Sequence, residues 1–259
     1  MKRVRRIVMV VGALAVLVGA AMLVLGPRYT VPVIMYHRVE ENPDAASDTV
    51  SPEVFERQMA YLRRHGYRVI PLDDLVAGTV AGQTFPRGTV VLTFDDGYEN
   101  NYTNALPVLT QYRFPATVFI SPDFMGRDGF LDWPRVRAMQ QAGIRFGSHG
   151  LTQAYLPDLD EAQRRQEIAD SRRRLREGLG EEVRFFCYPV GGFNDDIKRI
   201  VREAGYQGAM ATNRGSDRWN RDVYEINRIR FSDQDTHPVK LWAKLSGYYN
   251  LFRKLKNPE

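Results

Sequence analysis

The stretch Val90-Val91-Leu92-Thr93-Phe94-Asp95-Asp96-Gly97-Tyr98 decides the fold, because it joins an apolar strand to two adjacent carboxylates. Its β-branched and aromatic residues predict a buried strand, and Gly97 permits a sharp turn after it. Two neighbouring carboxylates at such a place are costly unless a cation or a metal ion accompanies them. One interpretation assigns one Asp to a metal ion and the other to general-base work. The alternative is a turn in which one Asp caps the next helix.

Apolar segments like this one recur along the chain and alternate with helix candidates. The other predicted strands are residues 31–35, 67–70, 116–120, 145–147, 183–188, 208–212 and 224–231, and the predicted helices begin at Ser51-Pro52 or cover residues 100–112, 133–142, 159–179 and 195–204. Strands that alternate with helices predict an α/β fold with a parallel sheet. Seven or eight strands in one domain favour a closed or nearly closed β/α barrel, whose active site lies at the carboxyl ends of the strands.

The composition excludes several classes of protein. The single cysteine, Cys187, cannot form an internal disulfide or a cysteine-based zinc or iron–sulfur site within one chain. The net charge of +5 is concentrated at the N-terminus, because residues 1–26 contain four bases and no acid. Residues 27–259 contain 32 bases and 31 acids, so a nucleic-acid partner is not expected.

The apolar sequence near the N-terminus predicts a membrane segment. Residues 7–26 contain no charged or polar side chain, and this length suffices to cross a bilayer as a helix. The bases before it place the N-terminus in the cytoplasm and the remaining chain on the opposite side. We expect an uncleaved signal-anchor, with a cleaved signal peptide as the alternative.

Two later strand ends also contain candidate site residues. Residues 145–149 end in His149, which is either a metal ligand or a structural histidine. Residues 185–192 end in Pro189-Val190-Gly191-Gly192, a loop whose backbone N–H groups could face a cleft. Because parallel strands bring their carboxyl ends together, these groups could meet Asp95 and Asp96 in one cleft.

In this order, Thr93 to Tyr98, Gly147-Ser148-His149 and Tyr188-Pro189-Val190-Gly191 resemble the polysaccharide deacetylase family, the NodB-homology domain of carbohydrate esterase family 4. The opening segment at residues 32–37, Pro-Val-Ile-Met-Tyr-His, resembles the branch that includes poly-N-acetylglucosamine deacetylases. The resemblance covers about residues 31 to 231. It implies a distorted (β/α) barrel and metal-dependent removal of N- or O-acetyl groups from a glycan.

The resemblance also implies roles for individual residues. Asp95 would be the general base and His37 the general acid, while Asp96 and His149 would bind one divalent metal ion. Zinc is the expected ion, with cobalt, nickel and manganese as alternatives. The oxyanion would lie against a backbone N–H of the loop formed by Pro189, Val190 and Gly191.

Two departures from the family pattern bear on activity. The position of the family's second metal-ligand histidine, four residues after His149, is occupied by Gln153. An amide oxygen binds hard cations but is a poor zinc ligand, so weaker metal binding, a harder metal preference or loss of catalysis are all open. The family's arginine partner of the catalytic Asp is replaced by Cys187. Arg228 or Arg230 could supply that cation, or both could be ordinary surface residues.

The sequence therefore predicts three regions. Residues 1–26 form a basic stub and a transmembrane signal-anchor, residues 27–235 form the deacetylase domain, and residues 236–259 form an amphipathic helix that docks on the domain or on the membrane surface. The expected function is deacetylation of an acetylated polysaccharide outside the cytoplasm, by a membrane-anchored enzyme. The alternative is a catalytically impaired or inactive glycan-binding homologue, with Gln153 as the cause. The sequence does not determine the oligomeric state.

Overall fold

The computed structural model describes residues 29–41, 48–212 and 215–253. The chain divides into two compact units, residues 1–30 and residues 31–259, and every element given below belongs to the second. The predicted membrane anchor lies outside the described residues. Within those residues, no helix combines the length and the apolar character that a membrane span requires.

A parallel sheet forms the centre of the second unit. The strands are β1 (Val33–Tyr36), β2 (Arg38–Val39), β3 (Thr49–Val50), β4 (Arg68–Val69), β5 (Thr89–Phe94), β6 (Thr117–Ile120), β7 (Arg145–Ser148), β8 (Phe185–Cys187), β9 (Gly208–Met210) and β10 (Ile229–Arg230). The order in the main sheet is β10-β1-β5-β6-β7-β8-β9, β4 pairs with the start of β5, and β2 pairs separately with β3. The predicted α/β fold with a parallel sheet of about seven strands is confirmed.

Helices connect the strands. They are α1 (Pro52–Arg64), α2 (Leu72–Val80), α3 (Leu106–Tyr112), α4 (Trp133–Gln141), α5 (Glu161–Leu179), α6 (Asp195–Glu203), α7 (Pro238–Leu245) and α8 (Tyr249–Phe252). Local sequence explains several of their beginnings. Pro52 occupies the first turn of α1, where its missing N–H has no cost. Asp160 and Gln163 form a capping box at the start of α5, and Asn194 caps α6 by accepting the Ile197 N–H.

The main sheet is curved, and its two edges approach one another. At one edge, Ile229 of β10 pairs with Ile34 of β1. At the other edge, Met210 of β9 forms a bridge with Ile226, and the Ala211 N–H donates to the Ile226 carbonyl at 2.8 Å. The segment before β10 thus contacts the far edge, and the sheet forms a half-barrel. Because the strands are parallel, the residues that follow β1, β5, β7 and β8 lie at the same end.

The C-terminal segment differs from the predicted single helix over residues 236–259. In the described part of this segment, α7 and α8 are separate, and Gly247 lies between them with a φ of 80°. Leu241 and Leu245 of α7 are buried in the core of the domain, whereas Trp242 is 61% exposed. Helix α7 is therefore packed against the half-barrel through one face.

Candidate active site

The turn after β5 places two carboxylates in different environments. Asp95 is buried, and its N–H still donates to the Tyr36 carbonyl of β1 at 2.9 Å. Asp96 and Gly97 then adopt left-handed backbone conformations, with φ of 70° and 72°. A Cβ at Gly97 would lie 2.5 Å from Cγ2 of Ile120, so glycine is required by both its conformation and the space. Because of this turn, the direction of the Asp96 side chain does not follow the alternation of side chains along β5.

Asp95 forms a two-pronged ion pair with Arg228, which follows it by 133 residues. Arg228 donates to Oδ1 and Oδ2 of Asp95, each at 2.6 Å, and its side chain is fully buried. Burial alone would raise the pKa of Asp95, but the charge and hydrogen bonds of Arg228 lower that pKa well below its ordinary value. Asp95 is therefore ionised, and the guanidinium fixes the orientation of its carboxylate.

Cys187, the last residue of β8, contacts the same ion pair. Arg228 Nη2 donates to Cys187 Sγ at 3.0 Å, and Sγ lies 3.6 Å from both oxygens of Asp95. Burial raises the pKa of Cys187, so this group is a thiol at neutral pH. The cation beside Asp95 thus comes from the residue before β10, while the strand β8 contributes a small neutral side chain.

Asp96 and His149 face each other across a gap that fits a metal ion. Asp96 Oδ1 lies 3.4 Å from His149 Nε2, and His149 Nδ1 lies 3.0 Å from the Cys187 carbonyl. The carbonyl can only accept, so Nδ1 carries a proton, and in a neutral imidazole Nε2 would direct its lone pair toward a carboxylate. Two acceptors in this arrangement need a cation between them or a proton on the imidazole. Donor atoms bound to a tetrahedral zinc ion at about 2.1 Å lie about 3.4 Å apart, so this pair fits.

The electrostatics at His149 agree with that geometry. Burial opposes the charge on the imidazole, whereas Cys187, Asp96 and Asp95 around it raise the pKa of His149 well above its ordinary value. A metal ion at Nε2 would replace this proton, so binding of a metal ion would weaken as the pH falls. The carbonyl of Cys187 orients the imidazole in the way that partners of metal-bound histidines commonly do.

A second set of donor atoms, from Asp95, His149 and Cys187, also lies within 4.8 Å of one another. In this set, however, Arg228 occupies both oxygens of Asp95 and donates to the sulfur of Cys187. A metal ion there would lie against a fixed guanidinium and compete with it for the same atoms. Asp96 and His149 therefore form the better pair of metal ligands.

Gln153 lies on the loop that continues from His149. It adopts a left-handed conformation with a φ of 61°, which is uncommon for a residue other than glycine. Its side-chain nitrogen is buried and has no hydrogen-bond partner among the described residues. A buried N–H donor without a partner is costly, so this nitrogen is available to donate to an acceptor that the described residues do not supply.

His37 follows β1 and lies on the other side of Asp95. Its Nε2 is 4.0 Å from Asp95 Oδ2, and its side chain is 14% exposed. Its Nδ1 is buried without a partner among the described residues. Burial lowers the pKa of His37, and the attraction of Asp95 and Asp96 only partly offsets this effect. His37 is thus neutral at neutral pH, whereas a general acid must first gain a proton.

The loop after β8 forms a single turn of 3₁₀-helix at Pro189–Gly191. Proline has no N–H, and the Gly191 N–H donates to the Tyr188 carbonyl at 2.9 Å. Val190 therefore supplies the remaining N–H of this turn. Its side chain is 65% exposed and its φ is 56°, a strained conformation for a β-branched residue.

The structure separates the two candidate arginines. Arg228 contacts Asp95, whereas Arg230 has an exposed side chain. His237 has a structural role, because it caps α7: its Nδ1 accepts the Val239 N–H.

Sequence reasoning missed Tyr98, which lies within the electrostatic influence of Asp96 and has the guanidinium of Arg38 over its ring, 4.0 Å from the ring centroid. Burial, together with Asp96, raises the pKa of Tyr98. The position of Tyr98 two residues after Asp96 was the available signal for this contact.

Comparisons with known proteins agree with these observations. Residues 82–209 match the model of a family described as polysaccharide deacetylase. YxkH of Bacillus subtilis is 29% identical over 201 residues, which are 78% of this chain and 71% of YxkH. The poly-beta-1,6-N-acetyl-D-glucosamine N-deacetylase of Staphylococcus aureus is 27% identical over 209 residues, which are 75% of this chain and 72% of that protein.

Solved structures share the fold. The Streptococcus pyogenes deacetylase PplD, in complex with acetate, is 25% identical and superposes with a TM-score of 0.76, covering 83% of this chain and 97% of PplD. IcaB from Ammonifex degensii has a TM-score of 0.72 at 24% identity, covering 83% of this chain and 97% of IcaB. At that level of identity, the second comparison speaks to the fold alone.

Proposed function

Because this chain belongs to the polysaccharide deacetylase family, with the matching domain at residues 82–209, we propose that it is a metal-dependent hydrolase that removes acetyl groups from a glycan. The observation that carries the proposal is the facing pair of Asp96 and His149, 3.4 Å apart, beside the buried carboxylate of Asp95. A carboxylate and an imidazole that need a cation lie next to a second carboxylate that is held ionised. Such an arrangement is suited to the hydrolysis of an amide or ester.

We propose that Asp96 and His149 hold one divalent metal ion, with zinc as the expected ion and cobalt, nickel and manganese as alternatives. When bound, such an ion polarises an acetyl carbonyl and lowers the pKa of bound water. Gln153 is a candidate for a further ligand through its amide oxygen. Its position four residues after His149, where the family has a second metal-ligand histidine, supports this assignment.

Asp95 is the proposed general base, because Arg228 keeps it ionised and correctly oriented. The pKa of Asp95 is lowered, so a proton taken from water would not stay on it for long. His37 Nε2 lies 4.0 Å from the same carboxylate and is neutral at rest, so it can accept that proton. His37 then becomes an imidazolium and gives the proton to the leaving amine. A positioned base or acid of this kind typically contributes about 10²–10⁴-fold to the rate.

The negative charge that develops on the acetyl oxygen needs hydrogen-bond donors. The turn formed by Pro189, Val190 and Gly191 follows β8 at the end of the sheet where Asp95 and His149 lie. We assign the N–H of Val190 as the donor, since the Gly191 N–H already donates within the turn. A backbone donor needs no reorganisation during the reaction, which is why it stabilises such a charge effectively.

The proposed substrate is an N-acetylated amino-sugar polymer of the cell envelope or of the extracellular matrix. The Staphylococcus aureus relative, named for the N-deacetylation of poly-beta-1,6-N-acetyl-D-glucosamine, supports this substrate class. The apolar segment at residues 7–26, with its preceding bases, supports placement of the domain outside the cytoplasm on a membrane anchor. N-terminal sequencing of the membrane-bound protein tests the anchor, because a start after residue 26 would indicate cleavage.

Acetate release from poly-N-acetylglucosamine and metal content of the purified full chain test the proposed reaction together. We expect bound divalent metal and released acetate in the native chain, and loss of both in Asp96→Asn. Asp128→Asn is the matched control, because Asp128 is an exposed carboxylate in the loop after β6. Loss of neither property in Asp96→Asn would contradict the proposal.

A glycan-binding homologue without catalysis is the second candidate, and the identity of residue 153 favours it. Glutamine stands where the family has a second metal-ligand histidine, and an amide binds zinc poorly. This candidate predicts glycan binding without bound metal and without acetate release. A large gain in turnover in Gln153→His would indicate an impaired natural site.

A further inference from the structure

The loop that leads from His149 to Gln153 donates hydrogen bonds to a buried carboxyl group, that of Glu167. Glu167, in α5, is 7% exposed. Its Oε2 accepts the N–H of Leu151 at 2.8 Å and the N–H of Thr152 at 3.0 Å, and its Oε1 accepts the Thr152 hydroxyl at 2.6 Å. Both oxygens of Glu167 are therefore used by the two residues that precede Gln153.

The space around this contact is tight. Gly150 has a φ of 78°, and a Cβ placed on it would lie 3.2 Å from Glu167 Oε2 and 3.4 Å from Pro189 Cγ. The backbone between His149 and Gln153 is thus in close contact with the Glu167 carboxyl group. The Glu167 carboxyl group accepts three hydrogen bonds from Leu151 and Thr152, so it restrains this loop.

The conformation of Gln153 depends on such support. A left-handed conformation is unfavourable for a residue other than glycine, and Gln153 has a φ of 61°. A free loop would relax from it, and the amide would turn away from the position that it now occupies. The hydrogen bonds that the N–H groups of Leu151 and Thr152 donate to Glu167 oppose this relaxation. The same loop begins at His149, whose carbonyl accepts the Ser121 hydroxyl at 3.0 Å, so both ends of the segment are fixed.

We propose that Glu167 is a positioning residue for the metal site, and that it acts by presenting the amide of Gln153 as the third protein ligand beside Asp96 and His149. This inference rests on the proposed metal-dependent function. It assigns the site one imidazole nitrogen, one carboxylate oxygen and one amide oxygen. Such a set contains more oxygen than a site with two histidines, and it should accept harder divalent ions such as manganese relatively better.

The test measures the affinity of the metal-free full chain for zinc, by competition with a chelating dye. We expect Glu167→Ala to weaken zinc binding by about 10–100-fold, the range for residues that orient metal ligands. Glu167→Gln should retain most of the affinity, because the amide oxygen can still accept the backbone N–H groups. Arg164→Ala is the matched control. Arg164 lies in the same helix and binds the carbonyls of Leu156 and Pro157, beyond Gln153, so its loss should leave the affinity unchanged.

A double-mutant cycle separates positioning from general damage. If Glu167 acts through Gln153, then Glu167→Ala should have less than about a 2-fold effect in the Gln153→Ala background, because coupled residues are non-additive. The melting temperature of the metal-free protein should fall equally in both backgrounds. An equal loss of zinc affinity in both backgrounds, or no loss in either, would overturn the inference.

If the proposed function is wrong, the zinc-binding measurements give a different result from the one expected if only the role of Glu167 is wrong. If the function is wrong, Asp96→Asn would leave zinc binding unchanged, and the inference about Glu167 would fall with it. If Asp96→Asn abolishes zinc binding but Glu167 and Gln153 are uncoupled, the metal site stands and only the role of Glu167 is refuted. Manganese in place of zinc gives a second readout. The ratio of the two affinities should shift toward zinc in Gln153→His.

Discussion

The contact between Arg228 and Asp95 makes this site dependent on one buried ion pair. The guanidinium also donates to the Ala211 carbonyl at 2.9 Å and to the Thr93 hydroxyl at 3.2 Å. Its remaining donors are therefore satisfied as well, which is the condition under which a buried pair is tolerated. The small side chain of Cys187 lies in contact with Arg228 and leaves space for its guanidinium.

Removal of Arg228 should therefore destabilise the protein strongly. We expect Arg228→Ala to lower the free energy of unfolding by about 3–5 kcal/mol, because Asp95 would remain buried without its partner. Arg230→Ala, at an exposed side chain, should cost far less. Denaturation in urea measures both. Adding Cys187→Arg to Arg228→Ala should recover part of the stability and of the acetate release, since it restores the cation from the family's own position.

The pH dependence of this effect has a definite sign. Arg228 lowers the pKa of Asp95, so the ion pair contributes fully above the ordinary pKa of an aspartate, about 4, and its contribution is lost on acidification. The difference between the native chain and Arg228→Ala should shrink as the pH falls below that value. A difference that stays constant between neutral and acidic pH would contradict the assignment of Arg228 as the partner of Asp95.

Single residues show where sequence reasoning reached its limit. The sequence offered Arg228 and Arg230 equally, and regular strand alternation would place both on the same face because they are two residues apart. The structure separates them because β10 begins only at Ile229, so Arg228 lies outside the strand geometry. Such a choice depends on contacts with residues more than 100 positions earlier, which no local pattern contains. Glu167 was missed because it contacts backbone N–H groups of Leu151 and Thr152, which no side-chain motif indicates.

Secondary structure could be predicted from the sequence more completely than the contacts of single site residues. Each predicted main strand corresponds to an observed one, because apolar runs bounded by turn residues are a local signal. Helix α2 was missed, since its sequence ends in Gly78, Thr79 and Val80, which are poor helix formers. It is stabilised instead by packing of its buried residues Leu72, Leu75 and Val76. The strands β2 and β3 have two residues each and carry no recognisable period.

The turn after β5 allows a test of how an element end positions the site. Gly97→Ala should destabilise the protein and reduce acetate release, because the new methyl group would collide with the buried side chain of Ile120 at 2.5 Å. Gly126→Ala is the matched control, with a φ of 75° and no described atom within 4 Å of the new group. The control bears only the cost of the left-handed conformation, about 1–2 kcal/mol. Equal losses of stability and activity in both variants would show that the contact with Ile120 is unimportant.

The whole domain places its chemistry at one end of the half-barrel. Histidine, carboxylate and arginine come from residues that follow or precede strands far apart in the chain, namely His37, Asp95, Asp96, His149 and Arg228. The parallel sheet brings the four residues that follow strands to the same end. Arg228, which precedes β10, reaches Asp95 through its long side chain. Metal binding in this arrangement would also stabilise the fold, by about 2.7 kcal/mol at a concentration 100 times the dissociation constant. The melting temperature of the full chain is thus an independent measure of the metal site.

The C-terminal segment completes the core of the domain, and this leads to a prediction about the molecule as a whole. Leu241 and Leu245 of α7 are 3% and 2% exposed within the core, whereas Trp242 on the opposite face is 61% exposed. We expect Leu241→Ala and Leu245→Ala each to lower the free energy of unfolding by about 2–5 kcal/mol, because each leaves a cavity. Trp242→Ala should change it by less than about 0.5 kcal/mol. Chemical denaturation of the three variants distinguishes a helix packed on the domain from one held only by a membrane surface, since in the second case neither leucine would affect unfolding.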